Sequence, residues 1–502
     1  MIEIAYAAIL LIPLFVVIAL ARYPLPLAVS LVMCCSIMFL PEKPVFDLPL
    51  LPPLGRESIA LMVVAVLAWF VERQRSLRSD QEVLGTRRWL PKVTLPLLLL
   101  IILLVQPAGT WLTNRDALPA PHLDSGLTFI DYGRMTYGAG FIALAVMLGR
   151  RFLSTPDATR ALLVALAATG VVYAGLTAFE WRMSPMLSET IYGQSRIRWY
   201  GIQRWGAFRP QLFQSIGLLS ASLMTTSMIA SLALARWSGA KRAQFWQIVA
   251  FSCVAGWIFA WSLGSWAIGL IIGAVIVFAR PRIQSNFLGF LAVCLLLYPF
   301  SRVIELFPTD LLFSIASVFD IDRALSMQFR FDAEDGLIGR TADRPWFGWG
   351  HGNRGLVLDT RGLNTTITDS YFIIAYSQNG FVGLLARYGL LVSPLLLMML
   401  NRRRLPRDPI MIGLAFVLVA SIVDSFLNDT LVMVRWMVVG ALLGRIEYEL
   451  AVARQQPREE TTEPALPASP APAMGGASGG RRGTPAMAQP PVQRSSGLLN
   501  RY

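Results

Sequence analysis

The sequence predicts an all-α, polytopic membrane protein with about 12–13 transmembrane helices and one large, partly helical loop outside the bilayer. Three observations carry that expectation. Of the 502 residues, 55% are hydrophobic and 15% charged, with a mean hydropathy of +0.54, whereas soluble domains carry about 25% charged residues. Apolar runs of roughly 20 residues recur along most of the chain, the length a helix needs to cross a bilayer. Basic residues gather in the short loops between alternate runs, the distribution expected of cytoplasmic loops.

Taken in order, the candidate spans are residues 4–21, 24–40, 57–72, 93–110, 135–150, 160–179, 212–235, 244–262, 265–280, 285–303, 380–400, 409–426 and 430–446. The first ends in Ala19-Leu20-Ala21, which resembles a signal-peptidase site. No basic stretch precedes it and Glu3 is acidic, so it reads as a retained span. Arg73, Arg75, Arg78, Arg87, Arg88 and Lys92 follow the third run, and Arg150 and Arg151 the fifth. Arg236, Lys241 and Arg242 follow the seventh, Arg280 and Arg282 the ninth, and Arg402, Arg403, Arg404 and Arg407 the eleventh. These five loops are expected on the cytoplasmic side of the membrane. The parity then sets the C-terminus inside, the N-terminus outside, and the polar run 301–369 in the periplasm or cell exterior.

Three parts are expected: N-terminal spans over 1–159, a core over 160–450 with periplasmic loops 181–210 and 301–370, and a tail over 451–502. The tail is rich in Pro, Ala, Gly and Ser, too poor in apolar surface to offset its ordering entropy, and reads as disordered and cytoplasmic.

The net charge of +13 is accounted for by loop arginines, so nucleic acid is not an expected partner. Cys34, Cys35, Cys253 and Cys294 all lie inside apolar runs without CxxC spacing. With two histidines in the chain, a protein-built metal site is not expected. Neither GxxxxGK[ST] nor a GxGxxG after a strand occurs, and no cofactor is expected.

Chemistry is expected from three places. Loop 181–210 carries Arg182, Arg196, Arg198, Arg204 and Arg209 on the side where parity expects few cations. It reads as a tolerated basic loop, as a miscount of the topology, or as a cradle for a diphosphate, which planar guanidiniums grip through paired hydrogen bonds. The run 301–369 offers Arg330, Glu334, Asp335 and Arg340, then Arg344-Pro-Trp346-Phe-Gly-Trp349-Gly-His351-Gly-Asn353, and Thr368-Asp369-Ser370 at the edge of the next span. Arg330 and Glu334 are spaced to pair on one helix face, Trp346 and Trp349 could offer faces to a sugar, and His351 reads equally as a turn residue or a base. Finally, Arg387, Asp424 and Arg435 lie within the last three spans at similar depth. Intramembrane charges pair or mark function; here they suit either an Asp424–Arg435 pair or one polar pocket opening outward.

The order of these motifs resembles the O-antigen ligase and polymerase superfamily. The resemblance rests on Arg204-Trp-Gly-Ala-Phe-Arg209-Pro, Arg330-Phe-Asp-Ala-Glu334, Arg344-Pro-Trp-Phe-Gly-Trp-Gly and a short polar motif opening an apolar helix, and covers roughly residues 160–445. It implies a GT-C-like fold and a metal-independent glycosyltransferase in the bacterial inner membrane, its active site facing the periplasm and acting on undecaprenyl-diphosphate-linked glycans. Arg204, Arg209, Arg330 and Arg340 would then hold the donor diphosphate. Many ligases open the helix after the large loop with a His-Asn pair; here Thr368-Asp369-Ser370 stands there, which makes Asp369 the substitute base, with Glu334 and Asp335 behind it. Implied partners are the lipid-linked donor, a glycan acceptor, membrane lipid, and polysaccharide export and chain-length machinery. Three readings remain open at this point: a polymerase of repeat units, a ligase to lipid A core or another acceptor, and a secondary transporter or lipid-carrier flippase. No pair of interrupted helices in repeated halves, the transporter pattern, is visible in the sequence.

Overall fold

The computed structural model describes residues 2–46, 53–74, 89–118, 125–193, 203–204, 206–239, 242–319, 321–358, 364–366 and 370–455. Of the described residues 77% are helical and almost none are in strands, an all-α membrane protein. In chain order the helices are α1 (Ile2–Leu10), α2 (Ile12–Arg22), α3 (Leu25–Phe39), α4 (Arg56–Gln74), α5 (Thr94–Thr113), α6 (Phe129–Phe152), α7 (Pro156–Met183) and α8 (Leu187–Tyr192). A hairpin of β1 (Gln203–Arg204) and β2 (Ala207–Phe208) turns at Gly206. Then come α9 (Gly217–Trp237), α10 (Ala243–Phe259), α11 (Leu263–Phe278), α12 (Pro281–Val303), α13 (Thr309–Phe319), α14 (Ile321–Thr341), α15 (Tyr371–Leu400), α16 (Pro409–Ser425) and α17 (Met433–Gln455).

All thirteen expected spans fall on helices, the first on α1 and α2 together. Six of these are long and apolar enough to cross a membrane, and α3, α10, α11 and α16 are shorter apolar helices. Helix starts follow local chemistry. Thr128 and Asp131 form a capping box on α6, while Thr155 before Pro156 and Asp408 before Pro409 cap α7 and α16.

The closest packing joins α6 to α17, through glycines. A Cβ on Gly440 would lie 1.9 Å from the Val146 carbonyl oxygen, and one on Gly149 2.0 Å from that of Met437. Small residues let backbones approach where lipid supplies no hydrophobic drive between helices. The buried Arg150–Glu447 ion pair closes this seam, and Glu447 also accepts from the Lys92 amide at 2.7 Å.

At the opposite ends of the helices, the loops that carry the candidate residues are stitched together. Buried Arg56 donates to the Leu40 and Phe213 carbonyls and to Gln214 Oε1. The Tyr192 hydroxyl donates to the Phe39 carbonyl at 2.8 Å. Arg344 bonds Asp116 at 2.6 Å and Arg354 the Asp116 carbonyl at 2.9 Å, fastening the segment after α5 to the segment after α14. We call this the site face.

One feature of α15 is invisible to hydropathy. Gly380, at φ 65° and ψ −166°, breaks the helix into 371–379 and 381–400. The glycine-rich turn plugs the break. Trp349 and Gly350 amides donate to the Ser377 and Gln378 carbonyls at 2.9 and 2.8 Å, and Phe381 and Val382 amides to the Pro345 and Trp346 carbonyls at 2.7 and 3.1 Å. A broken helix in a membrane persists only where such groups are satisfied again. Gly348, at φ 66°, fits because a Cβ there would lie 2.5 Å from the Gly380 amide nitrogen. The expected span 380–400 is therefore the second half of a longer, interrupted helix.

Candidate functional site

The arginine-rich loop is organised by a carboxylate. Fully buried Glu180 ends α7 and accepts from the amides of Gln211 and Leu212 at 2.9 and 2.8 Å and from Leu187 at 3.0 Å. These bonds set Arg209 across the start of α9, where a Cβ on Gly217 would meet its side chain at 2.7 Å. Its Nε faces the Trp261 carbonyl between α10 and α11 at 3.5 Å. Arg204 stands in the hairpin. Its side chain, like all of Arg196 and Arg198, lies outside the described residues.

Helix α14 is held by its acidic pair. Arg302, buried at the end of α12, contacts Glu334 at 3.2 Å and Asp335 at 2.8 Å, and lies over the Phe331 ring. Burial pushes the Glu334 carboxyl up to about 7, against the pull of Arg302. Both acids are thus committed to positioning α14. Arg330, on the same helix, donates to the Leu427 carbonyl in the turn between α16 and α17 at 3.1 Å. That turn also meets the start of α11, since a Cβ on Gly264 would touch Leu427 at 3.7 Å. The arginine loop and α14 therefore flank one rim, with Trp261 and Gly264 on one side and Leu427 on the other.

The two tryptophans differ in role. Trp349 is buried, covered by Arg340 at 3.8 Å and Arg344 at 4.4 Å, and donates to the Arg340 carbonyl at 2.9 Å. Arg340 also pairs with Asp343 at 3.1 Å. Buried Trp349 presents no free face, and it and Arg340 brace the turn. Trp346 is 63% exposed and keeps a ring open to a ligand or to lipid.

The charges expected within the last three spans divide into two groups rather than one pocket. Asp424 and Arg435 are buried 4.0 Å apart and bridged by hydroxyls: Ser222 and Thr430 donate to Asp424 at 2.5 and 2.6 Å, and Arg435 donates to Ser222 at 2.6 Å. A narrow cleft lined by Ser222, Thr225, Thr226, Ser265, Ile268, Ala420 and Asp424 runs between α9, α11 and α16. Arg387 belongs elsewhere: it donates to the Tyr371 hydroxyl at 3.0 Å and acts electrostatically on both His351 and Asp429.

His351 and Asp429 are solvent-accessible, yet their charged forms are penalised by surrounding protein. Burial holds the His351 imidazolium below its ordinary range, helped by Arg387, and raises the Asp429 carboxyl although Arg387 opposes the shift. The Tyr371 ring that Arg387 bonds lies 6.0 Å from Tyr388, which stacks on Phe426 at 5.7 Å.

Asp369 and Thr368 lie outside the described residues, while Ser370 beside them is buried. Sequence reasoning passed over Arg302, Glu180, Arg56, Asp429 and the bracing role of Arg344. Each sits near a helix end or in the turn beyond it, where a single charge reads as an ordinary flank. Among the described residues no group of His, Cys, Asp or Glu gathers as a metal site. The sequence matches no protein-family model and no characterised protein.

Proposed function

We propose that the chain is a metal-independent membrane glycosyltransferase that polymerises lipid-diphosphate-linked oligosaccharide repeat units into a cell-surface polysaccharide. The observation that carries this reading is the meeting of the two motif-bearing segments at one rim, with Arg209 against Trp261 and Arg330 against Leu427. The order of motifs along the chain, similar to that of O-antigen polymerases and ligases, points the same way. The site face would then be the outer face of a bacterial inner membrane, as the loop charge expects.

In this reading the donor diphosphate leaves as an anion, and arginines aimed at it stabilise charge that grows in the transition state. Arg204, Arg209 and Arg330 supply that charge; Arg387, which acts electrostatically on His351 and Asp429, is the next candidate. A carboxylate takes the proton from the acceptor hydroxyl, a role worth about 10²–10⁴-fold, and Asp369 at the opening of α15 is assigned to it. Glu334 and Asp335 act through Arg302, and Arg340 and Trp349 through the turn they brace. The donor is already activated, so neither nucleotide nor metal enters the reaction.

The ligase reading shares this chemistry and differs in the acceptor; the acidic motif in place of His-Asn favours the polymerase. The transporter reading gains one interrupted helix, but the break at Gly380 is filled by backbone rather than left open to an ion. Deleting the gene separates these readings. A polymerase leaves single repeat units on the lipid carrier, a ligase leaves long lipid-linked chains, and unchanged glycan refutes both.

A further inference from the structure

The hairpin of α13 and α14 carries an apolar ridge left exposed among the described residues. Leu311, Ile315 and Val318 recur at helical spacing along α13 and are 57%, 50% and 81% exposed. Ile321, Leu325 and Phe329 continue the ridge along the first turns of α14 at 53%, 51% and 54%. Beyond Phe329 the exposed positions turn polar, with Asp332 and Asp335. An exposed apolar stripe of this extent on a water-facing helix pair invites aggregation unless something covers it.

Three anchors fix where the ridge lies. The six-residue step from Val303 to Thr309 can carry the start of α13 no more than about 20 Å from the end of the α12 span. Arg302 in the last turn of α12 grips Glu334 and Asp335, holding the middle of α14 at that same level. Arg330 ties α14 to the turn between α16 and α17. The hairpin is thus held at the height where spans leave the bilayer. The apolar surface is also continuous along the chain: Phe290 and Leu297 on the outside of α12 are 63% and 58% exposed, and Ile304 and Leu306 extend this to α13 at 65% and 73%.

We infer that the α13–α14 hairpin is an interfacial element whose ridge, from Leu311 to Phe329, is immersed in the acyl-chain boundary of the membrane leaflet on the site face. Amphipathic helices lie in that plane with the apolar side down and the polar side in water. The occupant is lipid, because the ridge continues a lipid-facing span and is tethered at its level. This inference does not depend on the glycosyltransferase reading. It does place a lipid contact directly beside Arg330.

The test is site-directed spin labelling of full-length protein reconstituted in phosphatidylethanolamine–phosphatidylglycerol vesicles, with the four native cysteines replaced. Nitroxides at Ile315, Val318 and Leu325 are compared with Phe290 as the lipid reference and Asp332 as the aqueous one. The expected result is an oxygen-to-nickel-chelate accessibility ratio at the three ridge positions severalfold above that at Asp332 and approaching that at Phe290. A ratio at Val318 equal to that at Asp332 overturns the inference. So does a ridge shielded from both reagents with dipolar broadening between labels, which identifies a second copy as the cover. Labels at these exposed positions are tolerated by folding, and the Phe290 reading reports on each preparation that the bundle is intact.

Discussion

Replacing Gly380 with alanine tests whether the plugged break in α15 organises the site face. At φ 65° and ψ −166° the backbone occupies a region open essentially to glycine, which costs a side chain about 1–3 kcal/mol. The added Cβ would stand 2.4 Å from the carbonyl carbon and oxygen of Trp346 and 2.5 Å from the Phe347 nitrogen. These are backbone atoms that cannot rotate aside, and overpacking of this kind costs about 1–3 kcal/mol more. The chain can escape the overlap by expelling the turn. That forfeits the hydrogen bonds of Trp349, Gly350, Phe381 and Val382 to the turn or helix opposite, each worth about 0.5–1.5 kcal/mol. Both routes lead to a loss of about 2–6 kcal/mol. Gly339→Ala is the control, since a Cβ there meets nothing within 4 Å, and helix propensity makes it neutral or slightly stabilising. Thermal unfolding of the purified protein in detergent, followed by tryptophan fluorescence, measures both. A Gly380→Ala transition indistinguishable from wild type would refute the reasoning.

Two further perturbations probe buried charge. Arg435→Met leaves Asp424 buried without its counter-charge and is expected to cost about 3–5 kcal/mol, while the Asp424→Asn/Arg435→Met double variant recovers part of that loss; thermal unfolding of the double variant below the Arg435→Met single would contradict the pairing. Glu334 has a carboxyl raised from the usual 4.5 to about 7, so the folded state binds more protons than the unfolded state between those values. Stability therefore falls as pH rises from about 4.5 to about 7, and Glu334→Gln flattens that slope; an unchanged slope in the variant removes Glu334 as its source.

The apolar helices were legible because bilayer thickness imposes a length and a polarity that composition cannot conceal. The break at Gly380 was not, since Asn379-Gly380-Phe381 in an apolar run leaves hydropathy unchanged and the plug that satisfies it lies some 30 residues earlier. Spacing offered Arg330 as the partner of Glu334, but the contact that buries this carboxylate comes from Arg302, at the end of another helix. The expectation of one outward pocket from Arg387, Asp424 and Arg435 rested on equal depth, and depth does not report the azimuth at which a side chain leaves its helix. Asp424 and Arg435 turned toward α9, and Arg387 toward Tyr371.

The central claim is tested most directly by turnover of purified, reconstituted protein with a lipid-diphosphate oligosaccharide, comparing wild type with Arg209→Ala and Asp369→Asn. The account predicts chain elongation by wild type without added metal or nucleotide. It further predicts a loss of about 10²–10³-fold in Arg209→Ala, as for removal of one transition-state donor, and about 10²–10⁴-fold in Asp369→Asn. Full activity in both variants, or no elongation by wild type, would contradict it.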